Sequence, residues 1–329
     1  MTQLPAGPPD GQRTSGAEPS QPSCQRPLIG IALGSGAARG FAHIGVLRTL
    51  LARGLRPDII TGTSAGAIIG GFFAAGQLDA ITEWSLRLTR RGVLGFLDMS
   101  LSGGSLIRGG RLARQLESMV GGAKIETLET RFAAIATEIA TGHEVWLTRG
   151  RLFEAMRASY ALPGLLPPVH VGGRWLVDGA LVNPVPVSAA RALDARLVIA
   201  VNLNVDLYGR GSTIANHGFE DDELVVRDPA ARRWLGLVGV EKLLKRQVMG
   251  NVRRPGLSRV MVEAYNVMQD RITRARLAGD PADIMISPRL GSVGLFDFHR
   301  AKEAIERGAE AAERALETID QTIAALSGH

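Results

Sequence analysis

The stretch DIITGTSAGAIIGGFFAAG, residues 58–76, decides how this chain is read. Its start, Asp58 to Thr61, supplies an apolar run of strand length, and Ala67 to Ala75 continue as a helix of small residues able to pack closely on a sheet. Between them lies GTSAG, with Ser64 at its centre. G-x-S-x-G between a strand and a helix is a nucleophile elbow, in which flanking glycines permit a sharp turn and the serine Oγ projects where a substrate reaches it. The helix that follows also offers unpaired N–H groups and the positive end of its dipole. A plainer reading has Ser64 capping that helix while Gly62 and Gly66 serve the turn. The five residues alone leave both readings open.

A second unit of the same kind precedes it. LIGIAL (28–33) is an apolar strand, GSGAARG (34–40) a glycine-rich loop, and Phe41, Ile44, Val46, Leu47, Leu50 and Leu51 then recur at helical spacing. Two successive strand–helix units predict parallel strands with right-handed crossovers and hence an α/β fold. Further on, RFAAIATEIATG (131–142) and HEVWLT (143–148) read as strands joined at Thr-Gly-His, and RWLVDG (174–179), RLVIAVNLN (196–204) and DIMISP (283–288) add others. The expectation is a mixed sheet of about five or six strands. Ile305, Ala312, Leu316, Ile319 and Ile323 share one face of a C-terminal helix that docks on the core.

Two segments depart from this texture. Residues 1–27, rich in Pro, Gly, Ser and Gln, read as a disordered leader. Residues 206–283 read as a helical insertion or cap within a single domain running from 28 to 329, with two helical patterns (231–252 and 255–279) broken at Pro255. Lys242, Lys245, Arg246, Arg253, Arg254 and Arg259 lie among Leu, Val and Met there. Such a segment suits peripheral contact with an anionic membrane surface, and equally a solvated basic face over the core.

Composition narrows the class. A chain of 329 residues that is 45% hydrophobic buries a full core, and a formal charge of +6 favours an anionic partner. Aromatic content of 5% argues against a nucleic-acid stacking platform. The single cysteine, Cys24, excludes an intrachain disulfide and predicts a cytoplasmic protein. The apolar run after Ser64 is about half a bilayer span, so it is read as a buried helix.

Chemistry concentrates in three places. Besides Ser64, the loop at Gly34 and Gly36 lets backbone N–H groups approach a developing oxyanion. It fits neither a dinucleotide fingerprint, since Arg39 and Gly40 fall out of register and no acidic residue ends the next strand, nor a P-loop, which ends in Gly-Lys-Ser/Thr. In VDGALVNPVP (177–186), Asp178 ends a strand, where its carboxylate serves either an Asp-Gly turn or as acceptor of the Ser64 proton. His43, His143, His170, His217 and His299 are scattered, and His299, opening the last helix, satisfies a Ser, Asp, His order. Histidines and cysteine show no metal-ligand spacing.

In this order, LGSGAARGFAHIGVL (33–47), DIITGTSAG (58–66), ASYALPGLLPPV (158–169) and VDGALVNPVPV (177–187) resemble the motifs of the patatin-like phospholipase family. The likeness runs from about Ile29 through Asn202 and resumes more faintly from Ile284. It implies an α/β fold with a mainly parallel sheet, a Ser-Asp dyad of Ser64 and Asp178, and hydrolysis of lipid or phospholipid esters with no metal or cofactor. It further implies an oxyanion hole from the loop of Gly34, Gly36, Ala37 and Ala38, supported by Arg39 and Gly40, with Gly62, Gly66 and Gly179 as motif glycines. Where many members have three consecutive glycines, this chain has Gly34-Ser35-Gly36-Ala37, which shifts the donors by a residue. ALPGLLPP (161–168) becomes a candidate wall for an acyl pocket. The rivals are a Ser-His-Asp esterase or thioesterase, a nucleotide-binding oxidoreductase using the glycine loop, and a non-catalytic lipid-binding protein on the same fold.

Overall fold

The runs flanking the two glycine-bearing turns are neighbouring central strands in the computed structural model, which describes residues 26–96, 107–205 and 257–327. Strands β1 (Ile29–Leu33), β2 (Ile59–Thr63), β3 (Arg131–Glu138), β7 (Leu197–Val201) and β8 (Ile284–Ile286) are parallel. Strands β4 (Glu144–Leu147), β5 (Val169–Val171) and β6 (Arg174–Asp178) complete the sheet with antiparallel pairings. The order is β5-β6-β3-β2-β1-β7-β8, with β4 also paired to β3. Among the described residues there are eight strands, where about five or six were expected. Val169–Val171, which carries His170, is a strand too short to show a period.

Side chains of β1 alternate between two cores. Ile29, Ile31 and Leu33 join Ile60, Leu197, Ile199 and Val201 on one face, while Ala32 joins Ile59, Val198 and Ala200 on the other. Burial on both faces explains why these strands read as continuous apolar runs. The larger core is covered by α1 (Ala42–Ala52), α2 (Ala65–Ala74), α3 (Leu78–Leu86), α6 (Leu152–Ser159) and a long C-terminal helix. The smaller core is covered by α7 (Val187–Ala192), with Leu277 and Ala282 packed against it. Helices α4 (Arg90–Phe96) and α5 (Gly110–Val120) lie between α3 and β3 in sequence.

Helix α8 (Leu257–Gly279) is the second of the two patterns expected in the insertion. The first, with Lys242, Lys245, Arg246, Arg253, Arg254 and His217, lies outside the described residues, as do residues 1–25 of the expected leader. Among the described residues no helix is long and apolar enough to cross a membrane. The C-terminal helix, α9 (Ala301–Ser327), buries Ile319 and partly buries Ile305, Leu316 and Ile323.

Small residues bring α9 onto α1. A Cβ on Gly45 would collide with the Ile305 carbonyl, and one on Gly308 with the Ala42 carbonyl. Both obstacles are main chain, so neither moves aside as a side chain would. Gly308→Val is therefore expected to destabilise the fold by about 3 kcal/mol or more, the upper range of overpacking costs. Gly95→Ala, where the added methyl meets open space in a helix, should raise stability by about 0.5–1 kcal/mol. Urea unfolding of both variants checks the pair, and equal effects would contradict the crossing as described.

Candidate active site

The sheet register brings the two predicted side chains together. Thr63 of β2 pairs with Ile135 of β3, and Asp178 of β6 pairs with the next residue, Ala136. Strand β4 pairs with both stretches of β3, so β2 and β6 share the other edge and meet end to end there. Ser64 Oγ donates a 2.7 Å hydrogen bond to Asp178 Oδ2.

Ser64 occupies the N-cap position of α2, but its side chain makes no capping bond. Its backbone lies at φ 55°, ψ −116°, a region costly for a residue with a Cβ. Close contacts hold it there. Its N–H donates to Ser159 Oγ at 2.9 Å, and Ser159 Oγ donates to the Ile135 carbonyl at 2.5 Å. A Cβ on Gly62 would strike the backbone of Gly66, and one on Gly66 the carbonyl of Leu33, so both glycines permit close approach of main chain. Gly40 against Ala65 and Gly179 against Ile135 are similarly tight.

The geometry of Asp178 accommodates both readings of it. Oδ1 accepts the Ala180 N–H at 2.8 Å, closing the turn into Gly179–Leu181, and Oδ2 faces Ser64. Its N–H donates to the Ala161 carbonyl at 3.0 Å, and Thr137 Oγ1 donates to its carbonyl at 2.9 Å. Burial pushes the carboxyl up to about 6, against hydrogen bonds from Ala180, Ser64 and Tyr265 that pull it down.

The glycine loop divides the four expected donors. Gly34 N–H donates to the Val201 carbonyl and Ala38 N–H to the Leu295 carbonyl, each at 3.0 Å. Both are engaged in the main chain, so neither is free for an oxyanion. Gly36 and Ala37 line the cavity beside Ser64, and their N–H groups have no partner among the described residues. Ala37 sits at φ 48°, a conformation glycine adopts freely, at the place where many family members carry a third glycine. Arg39 is buried beneath the loop, donating from Nε to the Val293 carbonyl at 2.9 Å and from Nη1 to Asn204 Oδ1 at 3.1 Å.

Ser64 and Asp178 open onto a cavity of about 170 Å³ with almost wholly apolar walls. Leu162, Leu165 and Leu166 of the ALPGLLPP segment form one wall, and Trp84, Leu88, Leu112, Leu295 and Phe298 others. Asp178 is the one charged side chain among its described lining residues.

No histidine lines this cavity among the described residues. His43 is fully buried, and its Nε2–H donates to the Gly34 carbonyl at 2.7 Å. Burial lowers its imidazole to about 4, so it is neutral at pH 7. It braces the glycine loop. His299 Nε2 accepts from Arg90, His170 packs at a tilt against Trp175, and His143 lies in the β3–β4 turn. Among the described residues no three His, Cys, Asp or Glu side chains group to hold a metal.

Sequence reasoning missed Ser159, Tyr265 and Gln269. Ser159 lay in a quoted motif and carried a signal, a lone hydroxyl at the end of a mostly buried helix. Tyr265 and Gln269 showed only their spacing of one helical turn.

The patatin-like phospholipase family pattern matches residues 31–191. An uncharacterized NTE family protein of Mycobacterium tuberculosis is 34% identical over 335 residues, covering 89% of this chain and 92% of its own. Lysophospholipase nte1 of Emericella nidulans is 31% identical over 180 residues, which are 53% of this chain and 12% of that one. Among solved structures, VipD from Legionella pneumophila aligns over 88% of this chain and 67% of its own at 14% identity, with a TM-score of 0.41. The fold and the family match thus define an α/β lipid ester hydrolase. The chain belongs to the patatin-like phospholipase family, and its mycobacterial relatives carry the NTE family name.

Because Asp178 titrates higher in the folded chain than its ordinary 3.8, folding favours its protonated form. Its contribution to stability is fully present below about pH 3.8 and is lost as pH rises through about 6. Asp178→Asn removes the titration. The variant should exceed the parent in stability by about 2–3 kcal/mol at pH 8, the equivalent of a shift of about two units, and lose that advantage toward pH 4. Urea unfolding at the two pH values measures this. A difference that does not change with pH would refute it.

Proposed function

We propose that the chain is a serine acyl hydrolase that cleaves carboxylic esters of lipids or phospholipids through a Ser64–Asp178 dyad. One observation carries this reading: the 2.7 Å hydrogen bond from Ser64 Oγ to a buried carboxylate that opens on an apolar cavity. Ser64 Oγ attacks the ester carbonyl carbon while its proton passes to Asp178. The carbonyl oxygen becomes an oxyanion facing the N–H groups of Gly36 and Ala37, with the N-terminus of α2 behind Ser64 adding its positive dipole end. Collapse breaks the bond to the alcohol, which leaves with the proton held by Asp178. Water then attacks the acyl-enzyme by the same route and frees the fatty acid.

Burial makes an aspartate competent in this role. At its ordinary value a carboxylate is a feeble base at pH 7, whereas one raised to about 6 is still ionised there yet accepts a proton more readily. The cavity's apolar walls suit an acyl chain. The fungal relative's name makes a lysophospholipid the first substrate to test.

Peripheral contact with an anionic membrane is part of the same reading. Exposed Val260, Met261, Val267 and Met268 on α8 follow directly on the basic segment that contains Lys245, Arg246, Arg253 and Arg254.

Ser64→Ala and Asp178→Asn are each expected to reduce hydrolysis of a soluble aryl ester by about 10²–10⁴-fold or more. A fluorophosphonate probe should label Ser64, located by peptide mapping. The parent's kcat/KM should fall below about pH 6 as Asp178 becomes protonated. His43, His143, His170, His217 and His299 should each tolerate Gln with far smaller loss, His43 being the most sensitive through its hold on Gly34. Labelling on another serine, or inactivity of His299→Gln in a folded protein, would end the dyad reading.

For the membrane, charge reversal at Lys245, Arg246, Arg253 and Arg254 should lower activity on anionic vesicles while sparing the soluble ester, and rising salt should weaken vesicle binding. Equal losses on both substrates would count against it.

A further inference from the structure

Helix α8 turns a polar face inward. Asn266, Gln269, Asp270 and Thr273 are buried, where a helix lying on a sheet would ordinarily place apolar residues. Gln269 accounts for much of this. Its Oε1 accepts from Ser35 Oγ at 3.1 Å and from Asn204 Nδ2 at 3.2 Å. Both lone pairs are then occupied, so the amide nitrogen is the group left to face Tyr265, one turn earlier, with which Gln269 also hydrogen-bonds. With its oxygen accepting from Gln269, the Tyr265 hydroxyl directs its proton to the Asp178 carboxylate. Tyr265 and Gln269 line the cavity with Ser64 and Asp178. A continuous run of hydrogen bonds therefore joins Arg39, Asn204, Gln269, Tyr265, Asp178 and Ser64.

We propose that Tyr265 is a positioning residue for the hydrolysis, its hydroxyl, oriented by Gln269, fixing the Asp178 carboxylate toward Ser64 and setting the pH at which that carboxylate is ready to accept a proton. This rests on the dyad reading above. A carboxylate held only by Ala180 and by the reacting serine loses one of its two restraints as soon as the serine gives up its proton. Tyr265 supplies a donor that stays in place through both steps. A hydroxyl suits this better than a guanidinium or an ammonium, because it steadies the ionised form without cancelling the charge that makes it a base.

Other elements leave this role to α8. From β3, Thr137 reaches the main chain of Asp178; from α6, Tyr160 lines the same cavity; the glycine loop offers the backbone of Gly36 and Ala37. Apart from Asp178 itself, none of these groups is charged at pH 7.

The test is the pH dependence of kcat/KM on a soluble ester, with fluorophosphonate labelling rates as a second readout. Tyr265→Phe keeps the ring and should move the acidic limb up by about half to one pH unit, the worth of one hydrogen bond, and lower the high-pH plateau severalfold as the carboxylate loses its fixed orientation. Gln269→Leu should shift it less in the same direction, and the double variant should match Tyr265→Phe alone. An unmoved limb in Tyr265→Phe, or a loss uniform across pH, alongside an inactive Asp178→Asn, would overturn this inference and leave the dyad standing. Activity surviving in Asp178→Asn would overturn both.

Discussion

Strand β3 is the template on which the site depends. The strand that ends at Ser64 and the strand that ends at Asp178 pair with successive stretches of one edge of β3, β4 taking the other edge, and the register brings both residues beside Ala136. A slip of one residue in either pairing would send one of the two side chains to the opposite face of the sheet. The register is held at both strand ends. Ser159 bonds the Ile135 carbonyl while receiving the Ser64 N–H, and Thr137 bonds the Asp178 carbonyl. The 2.7 Å contact between serine and carboxylate thus follows from sheet geometry more than from any attraction between the two.

The strained and electrostatically costly features of the chain gather around that contact. Of the three non-glycine residues at positive φ among those described, Ser64 and Ala37 belong to the site, and Asp194 lies in a turn just beyond α7. Asp178 is a carboxylate buried against its solvation preference. Strain and a desolvated charge persist only where the surroundings over-determine them. Here the surroundings are main-chain contacts tight enough to admit nothing larger than glycine at Gly62, Gly66 and Gly179.

The parts legible in the sequence were those set by local chemistry. Strand, turn and helix around Ser64 and around Gly36 follow from apolar period and glycine placement. The pairing of Ser64 with Asp178 came through the family motifs, since the spacing of the two residues carries no distance. Which N–H groups remain free was out of reach. Gly34 and Ala38 lose theirs to Val201 and Leu295, partners more than 160 residues away whose approach depends on the sheet order and on the segment before α9. The polar face of α8 was hidden for a similar reason, because its meaning depends on Ser35 and Asn204 at the ends of β1 and β7. His170 shows the opposite case, a residue of local interest that the fold places on a sheet edge against Trp175.

The crossing of α1 and α9 at Gly45 and Gly308 bears on the order in which the chain is made. Helix α1 carries His43, which holds the Gly34 carbonyl and so the loop with the free N–H groups, and α9 is what presses α1 into place. A nascent chain that has emerged from the ribosome only as far as β7 already contains Ser64, Asp178 and the whole glycine loop. It lacks Gln269, Tyr265, Leu295 and α9, and with them the contacts that brace the loop and wall the cavity. The nucleophile is synthesised early, but the site is assembled late, so an unfinished chain near a membrane carries the residues of a lipid hydrolase without their geometry.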